Sequence, residues 1–266
     1  MNIIVCVKEV PDPEAPVDEF RLDPDKNILV SSPKVLKVPN PFDEQAVEAA
    51  LRIKDRSGAK VTILSLGRGL DRVVVKKPLL MGADDLVLLE DEAFADGDSW
   101  STAYGLAAAI KKIGVYDLVL CGRQAADWNA GQTGLGIAEL LNLPSVTVAR
   151  KIEIMDGKAK VERVTTNGYE VIEVILPALI TVSNELGQAR YPAVQNIRKA
   201  DKIQPVTWKP VDIGLEPFSV GSQGRRLKLL KLFQPVFEGT CEMIEGETLQ
   251  EAAESLSLRL RKEKIL

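Results

Sequence analysis

The chain has 266 residues, of which 45% are hydrophobic and 27% charged, so we expect one large folded α/β domain or two small ones. Its net charge of -4 argues against nucleic-acid binding, and no apolar run reaches the roughly 18 residues of a membrane span. It has no histidine and three widely spaced cysteines, which excludes Ser-His-Asp, Cys-His and HExxH chemistry and a zinc ribbon. We therefore expect no catalytic residue and no metal site.

Short apolar runs alternate with helical patterns through the first 150 residues. The runs are too short for helices and rich in β-branched residues, so they predict buried strands at 3–7, 60–66, 85–90, 116–122 and 144–150. The helical patterns lie at 43–57, 69–82, 98–113 and 131–141. This alternation predicts an α/β fold with a Rossmann-like, doubly wound parallel sheet. The first run, in MNIIVCVKEV, lacks the features of a signal peptide, and with the unpaired cysteines it indicates a cytoplasmic chain.

Two stretches interrupt this alternation. Residues 11–39 are rich in proline and contain the short KNILV, which predicts a hairpin or an irregular excursion. From residue 152 the turn signals DG and NG predict an added hairpin region. Its strands are expected at 152–155, 159–166, 169–175 and 178–183, the first three antiparallel.

The last 60 residues have a different sequence pattern again. Residues 204–240 combine closely spaced prolines and glycines with many apolar side chains, which we expect to lie on another surface. These are Trp208, Phe218, Leu227, Leu229, Leu230, Leu232, Phe233 and Phe237. Residues 248–266 predict a helix that starts with a capping box of Thr248 and Glu251. We expect an α/β domain at 1–203 and an extended C-terminal arm with a helix at 204–266.

Ligands of open parallel sheets bind beyond the carboxyl ends of the strands. Four loops lie there: VKEVPDP, NPFDE (40–44), SLGRGL (65–70) and CGRQAADWNAGQTG (121–134). The last loop opens a helix, and its small residues, with Gln132 and Thr133 as donors, predict a nucleotide phosphate on residues 130–134. The alternative is an ordinary loop with Asn129 as the helix N-cap. The loop matches neither GxGxxG nor a Walker A motif.

Five segments together resemble the β subunit of electron transfer flavoproteins, including its FixA-like members, over nearly the whole chain. They are VCVKEVPD, NPFDEQAVEAALRIKD, LLMGADDLVLLED, YDLVLCGRQAADWNAGQTG and LPALITVSNELGQARYPAVQNIRKADK. The resemblance implies an electron-carrier subunit rather than an enzyme. It implies a heterodimer with an α subunit that holds the redox FAD. Electrons would pass from acyl-CoA dehydrogenase-type flavoenzymes to an acceptor such as a membrane quinone oxidoreductase.

The family's β subunit buries AMP or, in its electron-bifurcating branch, a second FAD. Gln132, Thr133 and Gly134 resemble the AMP branch, because a threonine hydroxyl can bond a terminal phosphate. GRQA and GYEVIEV resemble the bifurcating branch instead. We favour AMP and keep the second FAD as the alternative. A more remote alternative is a stand-alone nucleotide-binding stress or signalling protein.

The resemblance also implies roles for individual residues. The implied nucleotide contacts are Cys6, Asn40, Pro41, Phe42, Asp43, Leu66, Gly122, Arg123, Gln124, Ala125, Asp127, Trp128, Asn129, Ala130, Gly131, Gln132 and Thr133. Arg163 matches an arginine near the flavin at the subunit interface. Arg190, Tyr191, Val194 and Lys199 fall in the segment that recognises partner dehydrogenases, with Val194 as its apolar contact. The C-terminal arm matches the part that embraces the α subunit.

Overall fold

A computed structural model describes residues 1–23, 25, 28–234, 239 and 241–266. Its strands are β1 (Asn2–Cys6), β2 (Glu9–Pro11), β3 (Phe20–Asp23), β4 (Ile28–Ser31), β5 (Lys37–Pro39), β6 (Lys60–Gly67), β7 (Asp85–Glu90), β8 (Leu118–Gly122), β9 (Ser145–Met155), β10 (Lys158–Thr165), β11 (Gly168–Ile175), β12 (Ala178–Val182) and β13 (Val206–Trp208). Its helices are α1 (Pro41–Ser57), α2 (Arg72–Met81), α3 (Ser99–Ile113), α4 (Thr133–Leu141), α5 (Val194–Lys202), α6 (Gly221–Gly224) and α7 (Leu249–Lys262). Of the predicted features, Lys26 and Asn27 of KNILV and Phe237 lie outside the described residues.

Nine strands form the central sheet in the order β11-β10-β9-β12-β8-β1-β6-β7-β13. Its neighbours are parallel from β9 through β12, β8, β1, β6 and β7 to β13. Strand β10 pairs antiparallel with both β9 and β11. The predicted fold is therefore confirmed: a largely parallel α/β sheet with an added antiparallel hairpin region.

Helices cover both faces of the sheet because the side chains of each strand alternate between them. Ile3 and Val5 of β1 share a core with α1 and α2, whereas Ile4 and Cys6 share a second core with α3 and α4. The chain proceeds from β1 to β6 and β7 on one side and returns through β8 on the other. The order of strands thus reverses at β1 and β8, where doubly wound sheets bind ligands.

Most predicted helix ends are found within a few residues. Asp71 and Asp98 accept main-chain N–H groups at the starts of α2 and α3, and Thr248 does so for α7. Gly58 ends α1 with a φ of 68°. The prediction of separate strands at 144–150 and 152–155 is wrong, because β9 runs continuously through an irregularity in its pairing with β12. No helix among the described residues is long and apolar enough to cross a membrane.

Two segments outside the α/β alternation take defined places. Strand β2 pairs with β5 and β3 with β4, which confirms a hairpin in the excursion after β1. The apolar side chains of 204–240 were expected to lie on another surface, but Trp208 packs on the second core of this chain, because β13 pairs with β7. Ile213 and Val220 are buried in that core as well. The division of the chain at 203/204 stays a prediction.

Candidate functional site

The start of α1 holds the loop that follows β8. Asn40, only 1% exposed, is the N-cap residue, but its side chain does not cap the helix. Its Nδ2 donates to the Gln124 carbonyl oxygen (2.9 Å), and its Oδ1 accepts from the Ala126 N–H (3.0 Å). A buried amide with both of its ends hydrogen-bonded fixes the backbone of the loop firmly.

Asp43, in the first turn of α1, joins the carboxyl ends of β1 and β8. Its buried carboxylate accepts the main-chain N–H groups of Lys8 (2.8 Å) and Gly122 (2.9 Å). Burial raises the pKa of Asp43 to about 6, although the hydrogen bonds from these two N–H groups and the Asn40 amide act to lower it. Gly122 has to be glycine, since a Cβ there would lie 2.5 Å from the Asp43 Oδ1.

A third link, at the surface, crosses the crevice between the end of β1 and the loop that follows β8. Lys8 Nζ lies 2.6 Å from an Asp127 carboxylate oxygen, and both side chains are partly exposed. Within the loop, Gln124 Nε2 donates to Asn129 Oδ1 (2.9 Å). Asn129 and Gly131 adopt left-handed backbone conformations, with φ of 51° and 65°. The loop therefore has a fixed, tightly turned backbone, from which Trp128 projects into solvent at 59% exposure.

The N-terminus of α4 is open to a ligand. The alternative with Asn129 as the N-cap is wrong, because α4 starts at Thr133 and its N-cap, Gln132, makes no capping hydrogen bond through its side chain. No acidic residue lies in the first turn. The main-chain N–H groups of this turn point away from the helix without an intrahelical acceptor. Such a turn carries partial positive charge and suits an anion.

Arg123 and Phe42 line the mouth of the crevice. The Arg123 guanidinium lies over the Phe42 ring, 4.7 Å from its centroid, and its main-chain N–H donates to the Val182 carbonyl oxygen. Its Nε is buried without an acceptor among the described residues. A buried donor without an acceptor lowers the stability of a folded protein unless a ligand or a water molecule accepts its hydrogen bond.

The carboxyl ends of β1 and β6 supply apolar side chains to the candidate site. Cys6 ends β1 and is buried, and Leu66, near the end of β6, packs partly buried against the same core. Cys121 lies beside Cys6, and the hydrogen bond between the two thiols, together with burial, raises the pKa of Cys121 well above its ordinary value. Both cysteines are buried and free of disulfides, so they serve as small apolar side chains.

These residues fit a nucleotide phosphate. The open first turn of α4, the Thr133 hydroxyl and the Gln132 amide are all donors, and Arg123 adds a positive charge. By contrast, Asp43 places a carboxylate in the first turn of α1, which disfavours an anion at that helix. The phosphate would therefore be held by residues 130–134 rather than by the NPFD segment.

The structure separates the remaining predicted residues from this cluster. Arg163 lies on β10, which two strands separate from β8, and pairs with Glu170 (2.6 Å). In the segment with Arg190 and Lys199, Lys199 pairs with Asp84, which lies just before β7 and so at the amino end of that strand. The chain thus carries one candidate site at the carboxyl ends of the parallel strands and another that reaches their amino ends.

Within this second site, the four predicted residues divide into two kinds. Arg190 donates to Glu48 (2.7 Å) and to Asp55 (2.8 Å) of α1, so it holds the segment in place. Tyr191 and Val194 are 79% and 82% exposed and free to contact a partner.

The nucleotide contacts expected from the sequence do not include Lys8 and Ala126. Lys8 directly follows the first strand, and this position at the carboxyl end of β1 was the available signal. Ala126 contributes only its main-chain N–H, so its side chain gives no signal in the sequence.

The fold and the cluster at its switch point define an α/β protein with a doubly wound sheet and a candidate ligand site, and comparison with known proteins gives the family. The model of the electron transfer flavoprotein domain matches residues 30–212. The chain is 42% identical over 270 residues to "Caffeyl-CoA reductase-Etf complex subunit CarD" of Acetobacterium woodii, covering all of both chains. It is 39% identical over 267 residues to "Electron transfer flavoprotein subunit beta" of Thermoanaerobacterium thermosaccharolyticum, again covering both chains. It is 35% identical to "Protein FixA" of Azorhizobium caulinodans, over 88% of this chain and 85% of that one. The chain therefore belongs to the electron transfer flavoprotein family, as a β subunit.

Proposed function

We propose that this β subunit buries AMP at the carboxyl edge of its sheet and pairs with an FAD-bearing α subunit. The heterodimer carries electrons in the cytoplasm from acyl-CoA dehydrogenase-type flavoenzymes to a downstream acceptor, such as a membrane quinone oxidoreductase. The flavin supplies the redox chemistry when it is bound. This chain contributes binding and positioning, and we assign it no catalytic residue.

The open first turn of α4 carries the proposal. Its N-cap side chain makes no capping bond, and Thr133 begins the helix next to the left-handed turn at Gly131. The three links across the crevice, through Asn40, Asp43 and Lys8, hold this loop in one conformation before a nucleotide arrives. A preformed site loses little conformational entropy on binding. This favours a tightly held, structural nucleotide.

A second candidate places FAD instead of AMP in this subunit. The supporting observation is the 42% identity to a subunit that, by its name, works in a complex with a CoA-ester reductase. In this candidate the subunit belongs to an electron-bifurcating flavoprotein.

The nucleotide released by heating the purified heterodimer separates the candidates. One AMP and one FAD per heterodimer supports the carrier, and two FADs without AMP supports the bifurcating subunit. No adenine nucleotide in the β subunit would remove both proposals.

The phosphate position is tested by Thr133→Val. If the hydroxyl bonds the phosphate, its loss weakens nucleotide retention by about 1–3 kcal/mol. The measurement is nucleotide content after dialysis, with Thr165→Val, an exposed threonine of β10, as the matched control. Equal retention in the two variants contradicts the assignment.

The recognition of dehydrogenases is proposed for Tyr191 and Val194. Both are exposed, whereas Arg190 and Lys199 act by holding the segment through Glu48 and Asp84. Val194→Ala should slow electron transfer from a partner dehydrogenase in stopped-flow experiments while leaving the cofactor content unchanged. A rate equal to that of the unmodified heterodimer would exclude a contact role for this side chain.

A further inference from the structure

Strand β9 contains a strained residue beside the candidate site. Val148 has a φ of 58°, a left-handed conformation that β-branched residues rarely adopt. The pairing of β9 with β12 shifts its register here, between Ile180 and Val182, so that two residues of β9 lie opposite Thr181. A bulge of this kind redirects the main chain of a strand and is often found beside functional sites.

Thr181 holds this bulge through its hydroxyl group. The Val148 N–H donates to the Thr181 Oγ1 (3.0 Å), and Thr181 is only 4% exposed. Main-chain hydrogen bonding between the two strands resumes one residue later, where the Ser183 N–H donates to the Ala149 carbonyl oxygen (2.9 Å). An N–H group turned out of the ladder needs another acceptor, so the hydroxyl of Thr181 stabilises the bulge.

The methyl group of the same side chain faces the first turn of α4. A Cβ at Gly134, the second residue of that helix, would lie 2.9 Å from the Thr181 Cγ2, which is closer than non-bonded carbon atoms pack. The next two neighbours, Cys121 Cβ (3.6 Å) and Leu179 Cδ2 (3.7 Å), would be at ordinary contact distances. Among these three neighbours, it is therefore the Thr181 methyl group that requires glycine at position 134.

Both contacts depend on one side-chain rotamer. The hydroxyl and methyl groups of Thr181 share one Cβ, so a hydrogen bond that fixes Oγ1 also fixes the direction of Cγ2. The strained main chain at Val148 brings the donor of this hydrogen bond into place. The bulge thereby determines how closely the first turn of α4 approaches β12. The N–H groups of this turn are the ones that the candidate site offers to a phosphate.

We propose that Thr181 is a positioning residue of the nucleotide site: the bulge at Val148 fixes its rotamer, and its methyl group sets the place of the phosphate-binding turn. The inference rests on the proposed function, because the ligand is the adenine nucleotide proposed for the start of α4. Thr181 acts through Gly134 and needs no contact of its own with the phosphate. A turn that is held in place before binding loses little conformational entropy when the phosphate binds.

The hydroxyl is tested in the co-expressed heterodimer with Thr181→Val and Thr181→Ser. Valine keeps the shape of threonine but has no acceptor, whereas serine keeps the acceptor. Thr181→Val should speed hydrogen exchange at the Val148 N–H and release of the adenine nucleotide, measured as AMP or as FAD beyond one per heterodimer, at least tenfold. Thr181→Ser should keep the exchange rate within threefold of the unmodified one. Thr62→Val, at a half-buried threonine of β6, is the matched control and should leave both rates unchanged.

The methyl contact is tested by a compensating pair of substitutions. Gly134→Ala places a Cβ 2.9 Å from the Thr181 methyl group and must displace the turn, so we expect at least tenfold faster nucleotide release. Adding Thr181→Ser removes the methyl group and keeps the hydroxyl, which should bring the rate back to within threefold of the unmodified one. Gly136→Ala is the matched control, because its Cβ would instead lie 2.9 Å from the Ala103 Cβ of α3. Adding Thr181→Ser to it should not slow the release.

The outcomes separate this inference from the proposed function. If the unmodified heterodimer releases no adenine nucleotide from this subunit on heating, the proposed function fails and the inference falls with it. If it does release one, an unmodified release rate in Thr181→Val overturns the positioning role. Equally fast release from Gly134→Ala and from Gly134→Ala/Thr181→Ser overturns the methyl contact. Either set of variants decides the inference if the other yields no heterodimer.

Discussion

Asp43 is a carboxylate kept in a buried position where ionisation is unfavourable. Its pKa is raised from its ordinary value of 3.8 to about 6 by burial, even though two main-chain N–H groups hydrogen-bond it. An uncharged asparagine would bury more easily. The carboxylate has two oxygens, however, and each accepts one N–H group, so it joins two strand ends that an asparagine could only half satisfy. We infer that the crevice geometry, rather than stability, accounts for the acid.

Asp43→Asn should therefore remove a pH dependence of stability. Because the folded pKa lies above the unfolded one, ionisation destabilises the folded chain as pH rises, mostly between pH 4 and 6. The two pKa values correspond to about 3 kcal/mol at neutral pH. Urea unfolding at several pH values should show the free energy of unfolding of the unmodified chain, relative to Asp43→Asn, falling by roughly this amount. A constant difference across this range would contradict the buried ionisation.

At the scale of elements, one buried acid of α1 joins that helix to the segment that precedes α5. Glu48, whose side chain is 7% exposed, accepts from Arg52 and Arg190. Burial raises the pKa of Glu48, but these hydrogen bonds outweigh it and leave the pKa below its ordinary value. Arg190 further pairs with Asp55 near the end of the helix. The segment that carries Tyr191 is thus attached to α1 by charged pairs, beside the apolar packing of Leu186 and Ala189 on the core.

Arg190→Ala should loosen this segment. Removing one partner of a buried carboxylate leaves it incompletely paired, and because Arg190 is a third exposed we expect a loss of about 2 kcal/mol. The loss should shrink as pH falls from the unfolded pKa of Glu48 through its lowered folded pKa, since the stabilisation is complete above the first and lost below the second. Lys158→Ala, which removes an exposed pair with Glu173, is the control and should change stability by less than about 0.5 kcal/mol. Equal losses in both variants would exclude the attachment.

Local sequence signals predicted the elements better than the contacts between them. Asp71 and Asp98 lie at the starts of the helical patterns 69–82 and 98–113, and both cap helices as such residues usually do. Strand β13 has three residues, too few for a periodic pattern, so its place at the sheet edge was not predicted. The link from Asp43 to Gly122 joins residues 79 positions apart, and only the strand order brings them together. The sequence therefore indicated which loops follow the carboxyl ends of the strands but not the hydrogen bonds that join them.

At the scale of the whole molecule, the last buried residues lie beyond the boundary that the sequence composition predicts at 203/204. Residues 206–224 add an edge strand and buried side chains to the α/β body, whereas no described residue from 225 onward is buried. Helix α7 is likewise capped at Thr248 but has no buried residue. A helix and a leucine-rich segment without a covered face are stable only in an assembly. Exposed apolar side chains of this kind are typical of interaction sites.

A chain that ends at Gly224 should separate folding from assembly. Because none of the removed residues that the structure describes is itself buried, we expect its free energy of unfolding to stay within about 1 kcal/mol of that of the full chain. Light scattering should show it monodisperse, because it lacks the exposed Leu227, Leu229 and Leu230. It should fail to co-purify with the α subunit. Loss of a cooperative unfolding transition would instead mean that the arm belongs to the core of the α/β body, and retained co-purification would mean that the α subunit binds elsewhere.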